Sequence, residues 1–154
     1  MTERSYHENE YAARFADVEE NLKRIREGIA RAAEKSGRRP EDITLLAATK
    51  TVPVEVINHA IHLGVRQIGE NRVQELCEKF DRLDLEQCGC QFIGHLQTNK
   101  VRQLIGKVSM IQSVDSMKLA QEISRQCVQR DTSMDVLVEV NIGREENKSG
   151  VDPD

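Results

Sequence analysis

The sequence predicts an α/β fold: a partial (β/α)8 TIM-type barrel of about five parallel strands, preceded by one long helix. Three observations carry this expectation. From residue 43 onward, short apolar runs alternate with helical patterns, and such alternation implies a parallel sheet with right-handed crossovers. The chain has 154 residues, fewer than the roughly 200 to 250 that a complete barrel uses. No glycine-rich GxGxxG follows the first apolar run, which counts against a dinucleotide-binding doubly wound sheet.

The leading element is a helix over residues 8–36. Tyr11, Phe15, Val18, Leu22, Ile25 and Ile29 recur at alternating steps of four and three, so they form one apolar stripe. Gly37 is placed to stop the helix, and Arg38-Arg39-Pro40 confirms the break. Ile43 to Thr49 is a nearly continuous apolar run, the pattern of a strand buried on both faces. Pro53 opens a helix carrying Val56, Ile57, Ala60 and Ile61, and Gly64 closes it. The second strand spans Val65 to Ile68. After Asn71 comes a helix with Val73, Leu76, Cys77, Phe80 and Leu83 on one side, so Cys77 reads as core. Gln91 to Ile93 is the third strand, and Thr98 caps a short helix that ends at Gly106. Val108 to Ser113 is the fourth strand, followed by a helix from Ser116 to Arg130 with Asp115 as its N-cap. Asp135 to Asn141 is the fifth.

Composition excludes several classes of function. The chain is 38% hydrophobic and 31% charged, enough apolar residues for a core and against wholesale disorder. No window approaches the roughly 18 apolar residues of a membrane helix, and MTERSYHENEYAARF lacks the apolar region of a secretory signal. A net charge of -4 argues against nucleic acid as a partner. Cys77, Cys88, Cys90 and Cys127 lack CxxC or HxxxH spacing, so free thiols in a reducing, cytoplasmic setting are expected, with no metal.

In parallel α/β folds the working residues stand at the carboxyl ends of the strands. Here those positions are Thr49-Lys50-Thr51, Gly69-Glu70-Asn71, Gly94-His95-Leu96-Gln97, Ser113-Val114-Asp115 and Asn141. Lys50 ends an apolar run, so its stem would be partly desolvated, which favours the neutral amine that condenses with aldehydes. A lysine that merely marks where a strand meets solvent is the plainer reading. Asn71, with Gln74 three residues on, forms a capping-box pattern. His95 reads as a polar loop residue or a hydrogen-bonding histidine at a site mouth. Arg144 to Lys148 reads as a solvated loop.

Four ordered stretches carry a resemblance: Leu45-Leu-Ala-Ala-Thr-Lys50-Thr, Ile68-Gly-Glu-Asn-Arg-Val-Gln-Glu75, Phe92-Ile-Gly-His-Leu-Gln-Thr-Asn-Lys100 and Val140-Asn-Ile-Gly-Arg-Glu-Glu-Asn-Lys-Ser-Gly150. From about residue 10 to the last residue, the chain resembles the pyridoxal phosphate homeostasis protein family, related to the N-terminal domain of alanine racemase. One departure is visible: the family usually has an aromatic residue and a histidine before Phe92, where this chain has Cys90 and Gln91.

The resemblance implies that residues 1–154 are the N-terminal portion of a single barrel domain that binds pyridoxal 5′-phosphate (PLP). It implies a Schiff base on Lys50, with Asn71 beside the cofactor and His95 and Asn141 close by. It further implies a part in intracellular PLP homeostasis without turnover, the partner being a small-molecule cofactor and not nucleic acid or a membrane. A racemase needs an acid/base residue on the other face of the cofactor, and none is evident in the sequence. An amino-acid racemase or decarboxylase on the same lysine is the alternative, and a helical interaction module that has lost the cofactor is a third reading. Family phosphate loops follow the late strands, so a chain ending at Asp154 is expected to keep the lysine, hold PLP weakly, and expose the edge of its fifth strand.

Overall fold

The computed structural model describes residues 11–154. Helix α1 (Ala12–Lys35) fills most of the expected first helix; residues 8–10 of that expectation lie outside the described residues. It closes as the sequence suggests. Gly37 adopts φ 68°, the Arg38 amide donates to the Ala33 carbonyl at 2.9 Å, and the Gly37 amide donates to Glu34 at 3.1 Å. This paired closure satisfies carbonyls that the last turn leaves open.

The alternating segment folds into β1 (Leu46–Ala48), α2 (Val54–His62), β2 (Gln67–Glu70), α3 (Val73–Lys79), β3 (Gly89–Phe92), α4 (Val101–Leu104), β4 (Met110–Val114), α5 (Met117–Gln129) and β5 (Asp135–Val138). The five strands form one sheet in the order β1-β2-β3-β4-β5, and every neighbouring pair is parallel. A doubly wound sheet reverses direction at its middle. This one never does, so it is five consecutive strands of a barrel-type wall.

Several boundaries differ from expectation. The first strand is three residues long and only half-buried, not Ile43–Thr49 buried on both faces, because it is an edge of the sheet with one neighbour. The second starts at Gln67, and Val65 is buried on the approach to it. The third spans Gly89–Phe92 and the fourth Met110–Val114. The fifth stops at Val138, after which Val140 bridges in parallel to Val151. Thr98 does not cap a helix: it is the first residue of a 3-10 turn, with Gln97 at the cap position. Ser116, not Asp115, caps α5, its hydroxyl accepting from the Leu119 amide at 3.3 Å. The α1 stripe is covered only in part: Leu22 is buried, whereas Ile25 is 42% exposed. Where α1 meets α2 the contact mixes polar and apolar groups. The Phe15 ring stacks on His59 at 4.4 Å, and Glu19 lies 3.0 Å from His59 Nε2.

Strand alternation separates two faces. On one, the register aligns Ile68 with Cys90 and Phe92 with Ile111, and Ile68, Phe92 and Ile111 are almost wholly buried in one core with Leu76, Leu104 and Leu119. On the other, Gln67 aligns with Leu46, and Gly69 with Gln91. Here three amides form a ladder across the strands: Gln91 Nε2 donates to Gln67 Oε1 at 2.9 Å, and Gln112 Nε2 donates to Gln91 Oε1 at 2.5 Å. All four residues of β5 are exposed, leaving Val136, Leu137 and Val138 uncovered at an open edge.

The four cysteines are free, and Cys88, Cys90 and Cys127 are buried. Burial, reinforced by the Glu70 carboxylate and neighbouring Cys88, pushes the Cys90 thiol up to about 12. Cys90 behaves as a small apolar residue rather than a nucleophile. Among the described residues no cluster of three His, Cys, Asp or Glu side chains could hold a metal ion.

Phe92 is completely buried at the centre of this core, so Phe92→Ala is expected to cost about 3–5 kcal/mol of unfolding free energy. Urea denaturation of the two proteins measures it.

Candidate cofactor site

The strand ends are tied to one another along one rim. At the first, Thr49 continues the β1–β2 pairing, its amide donating to the Gly69 carbonyl at 2.9 Å. Thr49 is buried, and its hydroxyl donates to Glu70 Oε1 at 2.8 Å. Lys50 follows and is exposed. The partial desolvation expected for its stem is therefore absent, because the strand it ends is an edge. Thr51 then turns the chain with φ 60°, a left-handed conformation that a β-branched residue rarely adopts.

The second strand end carries the charge. Glu70 is 0% exposed, and Lys79, the last residue of α3, is 13% exposed. Lys79 Nζ donates to Glu70 Oε1 at 3.2 Å, to Glu75 Oε1 at 2.5 Å and to the Thr49 carbonyl at 3.1 Å. These three bonds use all three ammonium protons. Glu75 Oε1 also accepts from the Thr51 amide at 2.5 Å. Burial opposes ionisation of Glu75, but the Lys79 ammonium and the Thr51 amide outweigh it and hold its carboxyl below the ordinary 4.5.

Asn71 does not cap the following helix: Arg72 occupies the cap position, and no side chain caps α3. Instead, Asn71 Oδ1 is buried without a hydrogen-bond partner, as is Glu70 Oε2. A buried acceptor left open in this way costs free energy unless something donates to it. The backbone of Asn71 lies directly against Gly94: a Cβ on Gly94 would fall 2.7 Å from the Asn71 Cα. Only glycine permits that approach. The Gly94 carbonyl in turn accepts from the buried Ser113 hydroxyl at 2.5 Å, which ties the ends of β3 and β4 together.

His95 stands at the outer part of the rim, 60% exposed, with Nδ1 3.1 Å from Asp115 Oδ2 and 3.2 Å from the Ser149 hydroxyl. A carboxylate can only accept, so Nδ1 is the donor in the Asp115 contact. Asn141 spends its amide on its own loop: Nδ2 donates to the Glu145 carbonyl at 2.9 Å, and Oδ1 accepts from the Glu145 amide at 3.2 Å. The Ser149 contact folds this loop back onto the rim beside His95. Thus Lys50 and Asn71 share one tied segment, His95 and the Asn141 loop share the next, and Gly94 joins them.

Sequence reasoning placed Thr51 and Glu70 at strand ends without giving them a role, and it passed over Glu75 and Lys79. The spacing of Glu75 and Lys79, four apart on one helix, was the signal available. Nothing in the sequence showed that their partner would be the backbone around Lys50.

Comparison with known proteins sets this rim in context. No family model matches the chain. Over 135 residues it is 46% identical to the pyridoxal phosphate homeostasis protein of Aquifex aeolicus, and over 138 residues 38% identical to that of Escherichia coli K12. Over most of its length the chain is thus similar to the pyridoxal phosphate homeostasis proteins. Each alignment takes in 88% of this chain and 59% of the relative, so the chain spans about three-fifths of the length of these curated relatives. Among solved structures, an unknown protein from Bifidobacterium adolescentis superposes with a TM-score of 0.85 at 41% identity, covering 92% of this chain and 61% of that one. PipY of Synechococcus elongatus, a structure with PLP bound, matches with a TM-score of 0.68 at 32% identity, covering 81% of this chain and 58% of that one. The PLP-free form of PipY matches with a TM-score of 0.70 at 34% identity, over 81% of this chain and 59% of that one. These likenesses agree with the barrel-type wall of the sheet.

Two outcomes follow from the rim geometry. Gly94→Ala forces a methyl against the Asn71 backbone and is expected to lower stability by about 1–3 kcal/mol, read by urea denaturation. Glu75 is stabilised in its charged form, so its contribution is complete above the ordinary 4.5 and is lost as pH falls through its lower folded value. The stability gap between wild type and Glu75→Gln is therefore expected to stay constant near neutrality and shrink below pH 4.5, measured by denaturation at a series of pH values.

Proposed function

We propose that this chain binds PLP through Lys50 and takes part in the intracellular homeostasis of that cofactor without turning over a substrate. The residues on the rim fit the group. Lys50 offers an exposed amine at a strand end, and among the described residues no ion pair occupies it. Asn71 Oδ1 offers a buried acceptor awaiting a donor. Gly94 keeps the neighbouring loop flat against it. PLP supplies an aldehyde, which a neutral lysine amine captures with loss of water. The protein's part is to hold that amine at a fixed place and to receive a polar group of the cofactor at Asn71. His95, oriented by Asp115, and the Asn141 loop border the place where the cofactor would lie.

The observation that carries this proposal is the pairing of an unoccupied amine with an orphaned acceptor on adjacent, tied strand ends. It is supported by the names of the relatives and by the PLP-bound PipY structure. The absence of turnover is supported by the relatives' description as homeostasis proteins. A cytoplasmic setting is part of the same proposal and is supported by the free thiols. No helix among the described residues is long and apolar enough to cross a membrane.

Borohydride reduction of the chain incubated with PLP, followed by peptide mapping, is expected to place the adduct on Lys50. Lys50→Ala should lower trapped PLP at least about tenfold, the factor that 1.4 kcal/mol of lost binding represents. An unmodified Lys50 in the folded wild type overturns the proposal. Racemisation of alanine by the PLP-treated protein, above a Lys50→Ala control, would establish the enzyme instead.

A further inference from the structure

On the reading that Lys50 captures the cofactor, we infer that Lys79 and Glu75 on α3 are positioning residues for Lys50, gripping the backbone on either side of it. The residue before Lys50 is held by its carbonyl: Thr49 O accepts from Lys79 Nζ at 3.1 Å. The residue after is held by its amide: Thr51 N donates to Glu75 Oε1 at 2.5 Å. One short helix thus clasps both peptide groups that flank the working lysine.

The two clasps support each other. Lys79 and Glu75 pair at 2.5 Å across one helical turn. Glu70, wholly buried beneath them, accepts from Lys79 and from the Thr49 hydroxyl with the same oxygen. Removing water strengthens each of these interactions. The grip also accounts for the backbone at Thr51. A β-branched residue at φ 60° is a sparsely populated state that persists only where its surroundings enforce it, and the Thr51 amide bond to Glu75 is such an enforcement. The same arrangement separates two lysines by role. Lys79 spends its Nζ on three hydrogen bonds, whereas exposed Lys50 has no ion pair among the described residues.

The test compares wild type with Lys79→Arg, Glu75→Gln, and the double variant Lys79→Met/Glu70→Gln, which removes the buried carboxylate charge along with its partner so that the chain can still fold. Two quantities are read on folded protein at neutral pH. One is the rate at which PLP is trapped on Lys50, divided by the rate on exposed Lys23 in the same reaction. The other is the exchange rate of the Thr51 amide, with no PLP present. In the double variant the Lys50 to Lys23 ratio is expected to fall about tenfold or more, since a misplaced reactive group loses its advantage of orientation. Thr51 exchange is expected to accelerate about tenfold in the double variant and in Glu75→Gln, the opening of one bond worth about 1.4 kcal/mol. Lys79→Arg, which keeps the charge and the donors, is expected to restore most of the ratio. A wild-type ratio in the folded double variant, a ratio that Lys79→Arg leaves as low as the double variant does, or PLP trapped on Lys79 itself overturns the inference. If wild type traps no PLP on Lys50, the proposal of the preceding subsection fails, and the Thr51 exchange rates alone decide whether the grip exists.

Discussion

Glu70 has no contact with water, and a buried carboxylate must find positive charge and donors within the protein or forfeit several kcal/mol. It finds them in Lys79 and Thr49, and the geometry of the rim follows from that requirement. To reach Glu70, Lys79 crosses from α3 to the end of β1, and in doing so it meets the carbonyl next to Lys50 and the carboxylate of Glu75. Glu75 then meets the amide on the other side. A single buried charge thereby sets where the first loop lies, and with it where the Lys50 amine is presented.

The division between faces makes this arrangement possible. Thr49 and Glu70 lie on the helix-covered side of the sheet, among Ile68, Phe92 and Ile111, where solvent is excluded and electrostatic ties hold. Lys50 and Asn71 come one residue later on each strand and fall on the opposite side by simple alternation. Each strand end therefore contributes one residue that anchors and one that lies on the opposite face. The unfilled acceptor of Asn71, next to a glycine that alone tolerates its closeness, is the complement of the amine.

Much of this was legible in the sequence, and the exceptions share causes. Helices, their glycine stops at 37 and 64, and the parallel order could be read from periodicity and from positions that demand positive φ. The extents of the end strands could not: an apolar run looks the same whether it has two neighbours or one, so Ile43 to Thr49 promised a longer and better covered strand than the edge position gives. Lys50 was legible as a strand-end lysine, and its motif resemblance gave it a role, but its exposure follows from that same edge. Capping was misjudged at Asn71, Thr98 and Asp115 because neighbouring polar residues compete for a single cap position, and only the backbone angles choose among them. The tie between α3 and the loop after β1 joins residues more than twenty positions apart, beyond the reach of any local pattern.

The amide ladder on the open face has a direction. Gln112 gives a proton to Gln91, which gives one to Gln67, so the row ends in a spare donor on β2 and a spare acceptor on β4. Whatever settles beside β4 at that height must bring an N–H or O–H, and whatever settles beyond β2 must bring a lone pair. Without using any formal charge, the strip thus distinguishes its two flanks, and a segment packed against it in reverse would set like ends of dipoles against each other.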